Sequence, residues 1–336
     1  MSESTTQRIL VIGAGAIGCT LAWHLSSEAT QAAGIRVTLL ARTASQQAIE
    51  RNGLTLWQQG QSCGTHQIAT TSSMSKDQQW DAIILCVKQY DLSNVLHQIA
   101  PLLQPSTALI PLVNGIPWWL MRSHPQLRDQ TPERWGSSYA RFPELAMQQV
   151  IGGVIHIPAH MRDYSNVEQG QRNTLALGEI TRATGDVSAR VQKLANAFHL
   201  SALQCKASPD IQSDVWNKLL GNAVFNPVSA LANANMCEML SNPGLRELCE
   251  RLMTEVMAVG QALDYPQEVT VEERLIQAQS AGDARTSMLQ DAIAGKPLEG
   301  ETLIGSVTHI AAHLNEPTPA LNGIWALLQS RFSGSP

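Results

Sequence analysis

Apolar residues in the first half of the chain come in short unbroken runs, each closed by a glycine or a polar group. R-I-L-V-I-G (8–13), R-V-T-L-L-A (36–41), D-A-I-I-L-C-V-K (81–88) and A-L-I-P-L-V-N-G (108–115) are such runs. Runs of this length without alternation predict strands buried on both faces, as in a parallel sheet. A helical pattern from about Ala16 to Ser26 separates the first two and gives a β-α-β unit. Residues 54–71 predict added β structure. V-I-G-G-V-I-H-I and N-T-L-A-L-G-E-I, within 150–182, predict strands that extend the same sheet. A helix over about 187–198 precedes a last short strand in L-S-A-L-Q-C-K, and residues 125–147, poor in aliphatics, predict a loop insertion near the ligand crevice.

From Pro209 onward the period becomes helical. I-Q-S-D-V-W-N-K-L-L-G-N-A-V-F-N predicts one helix that Pro227 should break, and V-S-A-L-A-N-A-N-M predicts the next element. Further helical stretches follow in L-R-E-L-C-E-R-L-M-T-E-V-M-A-V-G-Q-A-L, V-T-V-E-E-R-L-I-Q-A-Q, S-M-L-Q-D-A-I-A-G and E-T-L-I-G-S-V-T-H-I-A-A-H-L. The expected fold class is α/β: a Rossmann-type doubly wound sheet domain over residues 1–206, then an all-helical C-terminal domain over 207–336. No solenoid-type repeat is evident.

Composition narrows the function. A chain of 336 residues suits two domains, and 44% hydrophobic residues supply ample core. A net charge of −5 gives no basic footprint for nucleic acid or an anionic membrane. The six cysteines are scattered with no C-x-x-C pair, so buried thiols in a reducing cytoplasm are expected rather than zinc or redox sites. Residues 9–25 resemble the apolar part of a signal peptide. The preceding segment has one acid and one base, however, and no small-residue cleavage site follows, so cytoplasmic residence is expected. No other run approaches membrane length.

The glycines of that apolar stretch point elsewhere. Gly13, Gly15 and Gly18, in G-A-G-A-I-G, stand at a strand-to-helix junction, with Ala16 and Ile17 opening the helix. Such glycines permit a tight turn, approach of backbone to a pyrophosphate, and close helix–strand packing; the helix amino terminus then faces the phosphates. At the end of the second strand, NAD-specific folds carry an acid for the ribose 2′-hydroxyl. This chain has Arg42 there, which favours the 2′-phosphate of NADP. Lys88 and Asn114 end the next two runs at the carboxyl edge, where a ligand crevice lies, and are candidates for the cofactor.

Lys218, Asn222 and Asn226 fall four apart in the first helix of the second half. Each step turns about 40° past a full circle, so the three share a stripe on an otherwise apolar helix. A buried lysine is costly unless paired. One reading is a surface pair with Asp214 and an Asn226 cap before Pro227; the other is an active-site wall.

K-L-L-G-N-A-V-F-N-P-V-S-A-L resembles the K-x-x-x-N-x-x-x-N-P-x-x-A-L segment of ketopantoate reductases (2-dehydropantoate 2-reductases), and S-M-L-Q-D-A-I-A-G-K-P-L-E-G-E (287–301) is similar to that family's S-M…E segment. The glycine turn, the V-K of Lys88 and the N-G of Asn114 also match, so the resemblance runs from about residue 8 to residue 330. It implies an NADP-dependent oxidoreductase acting on CH–OH groups, reducing 2-dehydropantoate to (R)-pantoate in pantothenate and coenzyme A biosynthesis. It implies Lys218 as general acid, with Glu299 helping to fix it and touching the substrate hydroxyl. Asn222, Asn226 and Ser287 would bind substrate, Asn114 and Lys88 would line the cofactor, and Arg42 would take the 2′-phosphate.

The chain departs from the pattern in L-E-G-E-T-L-I-G, where Leu298 and Ile304 replace polar positions, so a related 2-keto acid stays open. A β-hydroxyacid dehydrogenase, and a non-catalytic NADP-binding sensor, are the other readings; the presence of Lys218, Asn222 and Glu299 weighs against the sensor. The oligomeric state is left open, a homodimer included. His309 and His313 have helical i,i+4 spacing but no third ligand in reach, so no metal is expected.

Overall fold

The structure, a computed structural model, describes residues 6–75, 77–129, 144–181, 186–265, 267 and 269–332. Most of the insertion expected over 125–147 lies outside these residues. The chain forms two compact units: Met1–Val113 with Gln130–Ile211, and Asn114–Asp129 with Gln212–Pro336. The second unit thus takes in the chain from Gln212 onward and also the segment that opens with the Asn114-Gly115 turn.

In the first unit, β1 (Gln7–Ile12), β2 (Ile35–Leu40), β5 (Ala69–Thr71), β6 (Ala82–Leu85) and β7 (Ala108–Pro111) form a parallel sheet in the order β5-β2-β1-β6-β7. Ile9 to Ile12 and Ala82 to Leu85 are buried on both faces, which is why their runs do not alternate. Helix α1 (Ala16–Leu25) packs against β2, and α2 (Glu28–Ala32), α3 (Thr43–Asn52) and α4 (Gln89–Ile99) complete the winding. After β5 the chain crosses to the other side of β1 to form β6, so the carboxyl end of β1 is the switch point where such sheets hold ligands.

The expected single extended sheet is instead three. β3 (Leu54–Gln58) and β4 (Gln61–His66) form a four-stranded sheet with β9 (Ala159–Met161) and β10 (Asn166–Gln169). β8 (Ile151–His156), β11 (Thr174–Glu179) and β12 (Gln204–Ala207) form a three-stranded sheet. One bridge, Leu109 to Val150, joins that sheet's edge to β7, so pairing continues only at a seam. Helix α7 (Ala189–His199) covers β11 and β12, and α6 (Glu144–Gln149) precedes β8; α5 (Trp118–Ser123) belongs to the second unit.

The second unit is built on α8 (Ile211–Ala232), followed by α9 (Met236–Ser241), α10 (Pro243–Ala262), α11 (Val271–Gln279), α12 (Ser287–Ile293), α13 (Ser306–Leu314) and α14 (Pro319–Phe332). The break expected at Pro227 does not occur; the proline lies inside α8. Proline removes one backbone hydrogen bond and crowds the preceding turn, at a cost of about 3 kcal/mol in an exposed helix. Every residue from Ala223 to Ala230 is buried, so packing on all sides holds the helix through the interruption. Trp216 is fully buried, stacks on Tyr265 at 5.5 Å and donates its indole N–H to the Val256 carbonyl at 3.3 Å. Among the described residues no helix is long and apolar enough to cross a membrane.

Candidate active site

Two groups of side chains carry chemistry, one in each unit. In the first, the turn from Gly13 to Gly18 leaves β1 and enters α1, and each glycine answers a different demand. Gly13 has φ +107, and a Cβ there would meet the Cys86 carbonyl oxygen at 2.7 Å. A Cβ on Gly18 would fall 1.8 Å from the Gly13 oxygen, so only glycine lets the helix sit this close to the strand. Gly15 has an ordinary extended backbone, and a Cβ there would meet nothing within 4 Å. The fold itself therefore has no use for a glycine at Gly15; a ligand approaching the backbone does. As N-cap of α1, Gly15 offers no side-chain cap, which leaves first-turn N–H groups for an anion. This cradle fits a dinucleotide pyrophosphate.

Around it, Lys88 is the half-buried N-cap of α4, and Arg42 is the N-cap of α3 just beyond β2. The Arg42 side chain is 91% exposed, and its Nη2 lies 3.6 Å from Oδ2 of Asp91.

In the second unit the polar stripe of α8 meets two partners distant in sequence. Lys218 Nζ donates to Asn114 Oδ1 at 3.1 Å, and Asn114 Nδ2 donates to Glu299 Oε2 at 3.4 Å. The amide is thus oriented by charge, its oxygen toward the ammonium and its NH₂ toward the carboxylate. Burial pulls the Lys218 pKa down from its ordinary 10.5 to about 8, against the Glu299 carboxylate, which raises it. Glu299 is itself buried, with 8% of its surface exposed.

Backbone geometry holds this set. Gly115 has φ +78, and a Cβ there would sit 2.3 Å from the Thr302 oxygen. Ile116 N–H donates to that same oxygen at 3.1 Å. Thr302 lies in a π-helical turn, Glu301–Gly305, that starts two residues after Glu299. Such turns offer carbonyls to partners outside the helix and recur at functional sites. The Asn-Gly turn is thereby docked onto the segment that carries Glu299, fixing the spacing of Asn114 and Glu299.

The remaining candidates are placed less closely. Asn226 is 5% exposed within α8 rather than at its end, which excludes the capping role, and Asn222 is half-buried one turn before it. Ser287 is exposed in the first turn of α12, and among the described residues no hydrogen bond ties it to Lys218, Asn114 or Glu299. Asn114, assigned to the cofactor on sequence, has its amide between Lys218 and Glu299. Nothing in the sequence signalled Thr302 or Asp91, because Thr302 acts through its backbone carbonyl and Asp91 falls in no motif. The His313 ring, considered for a metal, has Nε2 3.0 Å from the Gln126 carbonyl.

A family model for ketopantoate reductase PanE/ApbA matches residues 9–182, and one for the C-terminal part of ketopantoate reductase PanE/ApbA matches residues 210–331. The chain belongs to the ketopantoate reductase family. It is 30% identical to the 2-dehydropantoate 2-reductase of Mesorhizobium japonicum, over 96% of this chain and 97% of that one. A solved structure assigned as a ketopantoate reductase from Ralstonia solanacearum MolK2 superposes with a TM-score of 0.86 at 31% identity, covering 98% of this chain and 99% of that one. A D-mandelate dehydrogenase solved with NADH and anilino(oxo)acetate shares the fold, with a TM-score of 0.80 at 20% identity over 97% of this chain and 98% of that one. This ketopantoate reductase family member is thus an oxidoreductase acting on CH–OH groups, and its Rossmann-type fold implies a nicotinamide cofactor.

Proposed function

We propose that the protein reduces a 2-keto acid, 2-dehydropantoate first among them, to the 2-hydroxy acid with NADPH. The observation that carries this reading is the Lys218–Asn114–Glu299 group: an ammonium with its pKa brought to about 8, held by an amide and flanked by a buried carboxylate. The nicotinamide, when bound, supplies a hydride to the carbonyl carbon. Negative charge then develops on the carbonyl oxygen, and Lys218 Nζ delivers a proton to it as the C–O π pair collapses onto oxygen. The C–H and O–H bonds formed account for the two electrons and the proton, and solvent reprotonates Lys218. A donor already aimed at the developing alkoxide is effective because it needs no reorganisation during the reaction. Asn114 fixes the direction of Nζ, and Glu299 keeps it protonated near neutral pH. Asn222 and Asn226, on the same stripe, orient the substrate's polar groups, and Ser287 adds a hydroxyl to them.

The phosphate turn supports the cofactor reading, with Gly15 left open for the pyrophosphate and Arg42 for a 2′-phosphate. Residence in the cytoplasm agrees with such a cofactor and substrate.

The test is steady-state oxidation of NADPH and NADH against a panel of 2-keto acids that includes 2-dehydropantoate, 2-ketoisovalerate and phenylglyoxylate. The panel is broad because Leu298 and Ile304 stand where the family pattern is polar. The highest kcat/KM is expected for 2-dehydropantoate with NADPH. Activity on another 2-keto acid alone would correct the substrate, and inactivity toward all of them would sink the reading.

The glycine turn supplies a second expected result. Gly15→Val should lower the thermal midpoint less than Gly18→Ala, since a Cβ at Gly15 meets open space, yet weaken dinucleotide binding more than tenfold, a change of roughly 1.4 kcal/mol. Gly18→Ala should lower the thermal midpoint, because its methyl overlaps the Gly13 oxygen. Thermal melts and fluorescence titration check both; a folded Gly15→Val protein that binds NADPH normally would refute the cradle.

A further inference from the structure

The carboxyl end of β1 is flanked by β2 on one side and β6 on the other, and each flank supplies one charge. Arg42 follows β2; Asp91 stands in the first turn of α4, after β6. Their side chains meet at 3.6 Å, which joins one charge that follows β2 to one that follows β6, the two strands flanking β1. Sequence alone shows an arginine where NAD-specific folds keep an acid. The structure adds that an acid is present after all, delivered from the opposite flank.

We propose that Asp91 is a specificity-determining residue at the ribose end of the cofactor site. Its carboxylate competes with the 2′-phosphate of NADPH for Arg42 and accepts the 2′-hydroxyl of NADH, so the site takes both dinucleotides. The proposal rests on the reading of Arg42 as the 2′-phosphate ligand.

The physical argument is one of charge. A phosphate arriving beside Arg42 must displace or share its carboxylate partner, and it also feels the repulsion of that carboxylate. Arg42 is 91% exposed and Asp91 40% exposed, so the pair is solvent-screened and breaks at little cost. The side chain of Asp91 is thereby free to swing from guanidinium to hydroxyl. A hydroxyl donor gains a charge-assisted acceptor from Asp91, whereas a phosphate gains nothing from it. Asp91 therefore lowers the preference for NADPH that Arg42 creates.

The experiment is fluorescence titration of NADPH and NADH into the wild type, Asp91→Asn and Arg42→Ala, at low and high salt. Asp91→Asn keeps the size of an exposed side chain and should fold normally. It is expected to raise the ratio of NADPH to NADH affinity by roughly three- to tenfold, by tightening NADPH and weakening NADH, and the change should shrink at high salt. Arg42→Ala is expected to weaken NADPH more than NADH. If Arg42→Ala weakens NADPH while Asp91→Asn leaves the ratio within twofold or lowers it, the role of Asp91 is refuted and that of Arg42 stands. If Arg42→Ala leaves NADPH binding unchanged, the reading beneath the proposal fails and the proposal fails with it.

Discussion

Lys218→Met is expected to lower kcat for keto-acid reduction by roughly 10²–10⁴-fold, the range over which a positioned general acid contributes, while the dinucleotide binds as before. Methionine retains the apolar stem and removes only the proton donor and its charge. The same variant should melt at a higher temperature than wild type at neutral pH. The Lys218 pKa is about 8 in the folded chain against an ordinary 10.5, so folding disfavours its charged form. Below about pH 8 both states hold the proton, and the wild type carries the full cost of burying the ammonium. Between about pH 8 and 10.5 the folded state sheds its proton while the unfolded state keeps it, so wild-type stability rises through that window. The advantage of the methionine variant should therefore be largest below pH 8 and fade above it. Turnover within tenfold of wild type would remove Lys218 from the chemistry. A clear loss of thermal stability would mean instead that the ammonium holds the fold together.

A destabilising group retained inside a packed helix was visible in the sequence, because the stripe is a local pattern. Lys218, Asn222 and Asn226 repeat at helical spacing, and the glycine turn lies within a single β-α-β unit; both follow from short-range geometry. What the sequence did not disclose is set by pairing over long separations. Asn114 and Glu299 are 185 residues apart, and no spacing rule connects an Asn-Gly turn after a strand to an acid beside a π-helical turn. The same holds for β3 and β10, which pair directly in parallel although the main-sheet strands β5, β6 and β7 lie between them in sequence. A run of apolar residues announces a strand but not its neighbour, and so one sheet was expected where three form. Pro227 misled for the opposite reason. Its local preference is strong, but the burial of every residue around it is a tertiary fact that overrides propensity.

The tie between Asn114 and Glu299 gives the second large effect its form. Glu299→Gln should retain an oxygen for the Asn114 amide while removing the negative charge that opposes the desolvation of Lys218. An opposite charge at close range typically shifts a pKa by about 1–3 units. Without it the Lys218 pKa should fall below 8, and the amine would be largely unprotonated at neutral pH. Reduction by the wild type is expected to be flat at low pH and to decline above about pH 8, where the acid is lost. In Glu299→Gln the decline should begin at least about one unit lower, so that the deficit in kcat/KM is about fivefold or more near pH 8 and much smaller near pH 5.5. The reverse reaction, oxidation of the 2-hydroxy acid, needs the neutral amine as base. Its rising limb should move to lower pH by the same amount, since both limbs report one group. A Glu299→Gln profile lowered equally at every pH would show that the carboxylate acts on the substrate alone. Coincident shifts of the two limbs are the result expected if Glu299 works through the proton on Lys218.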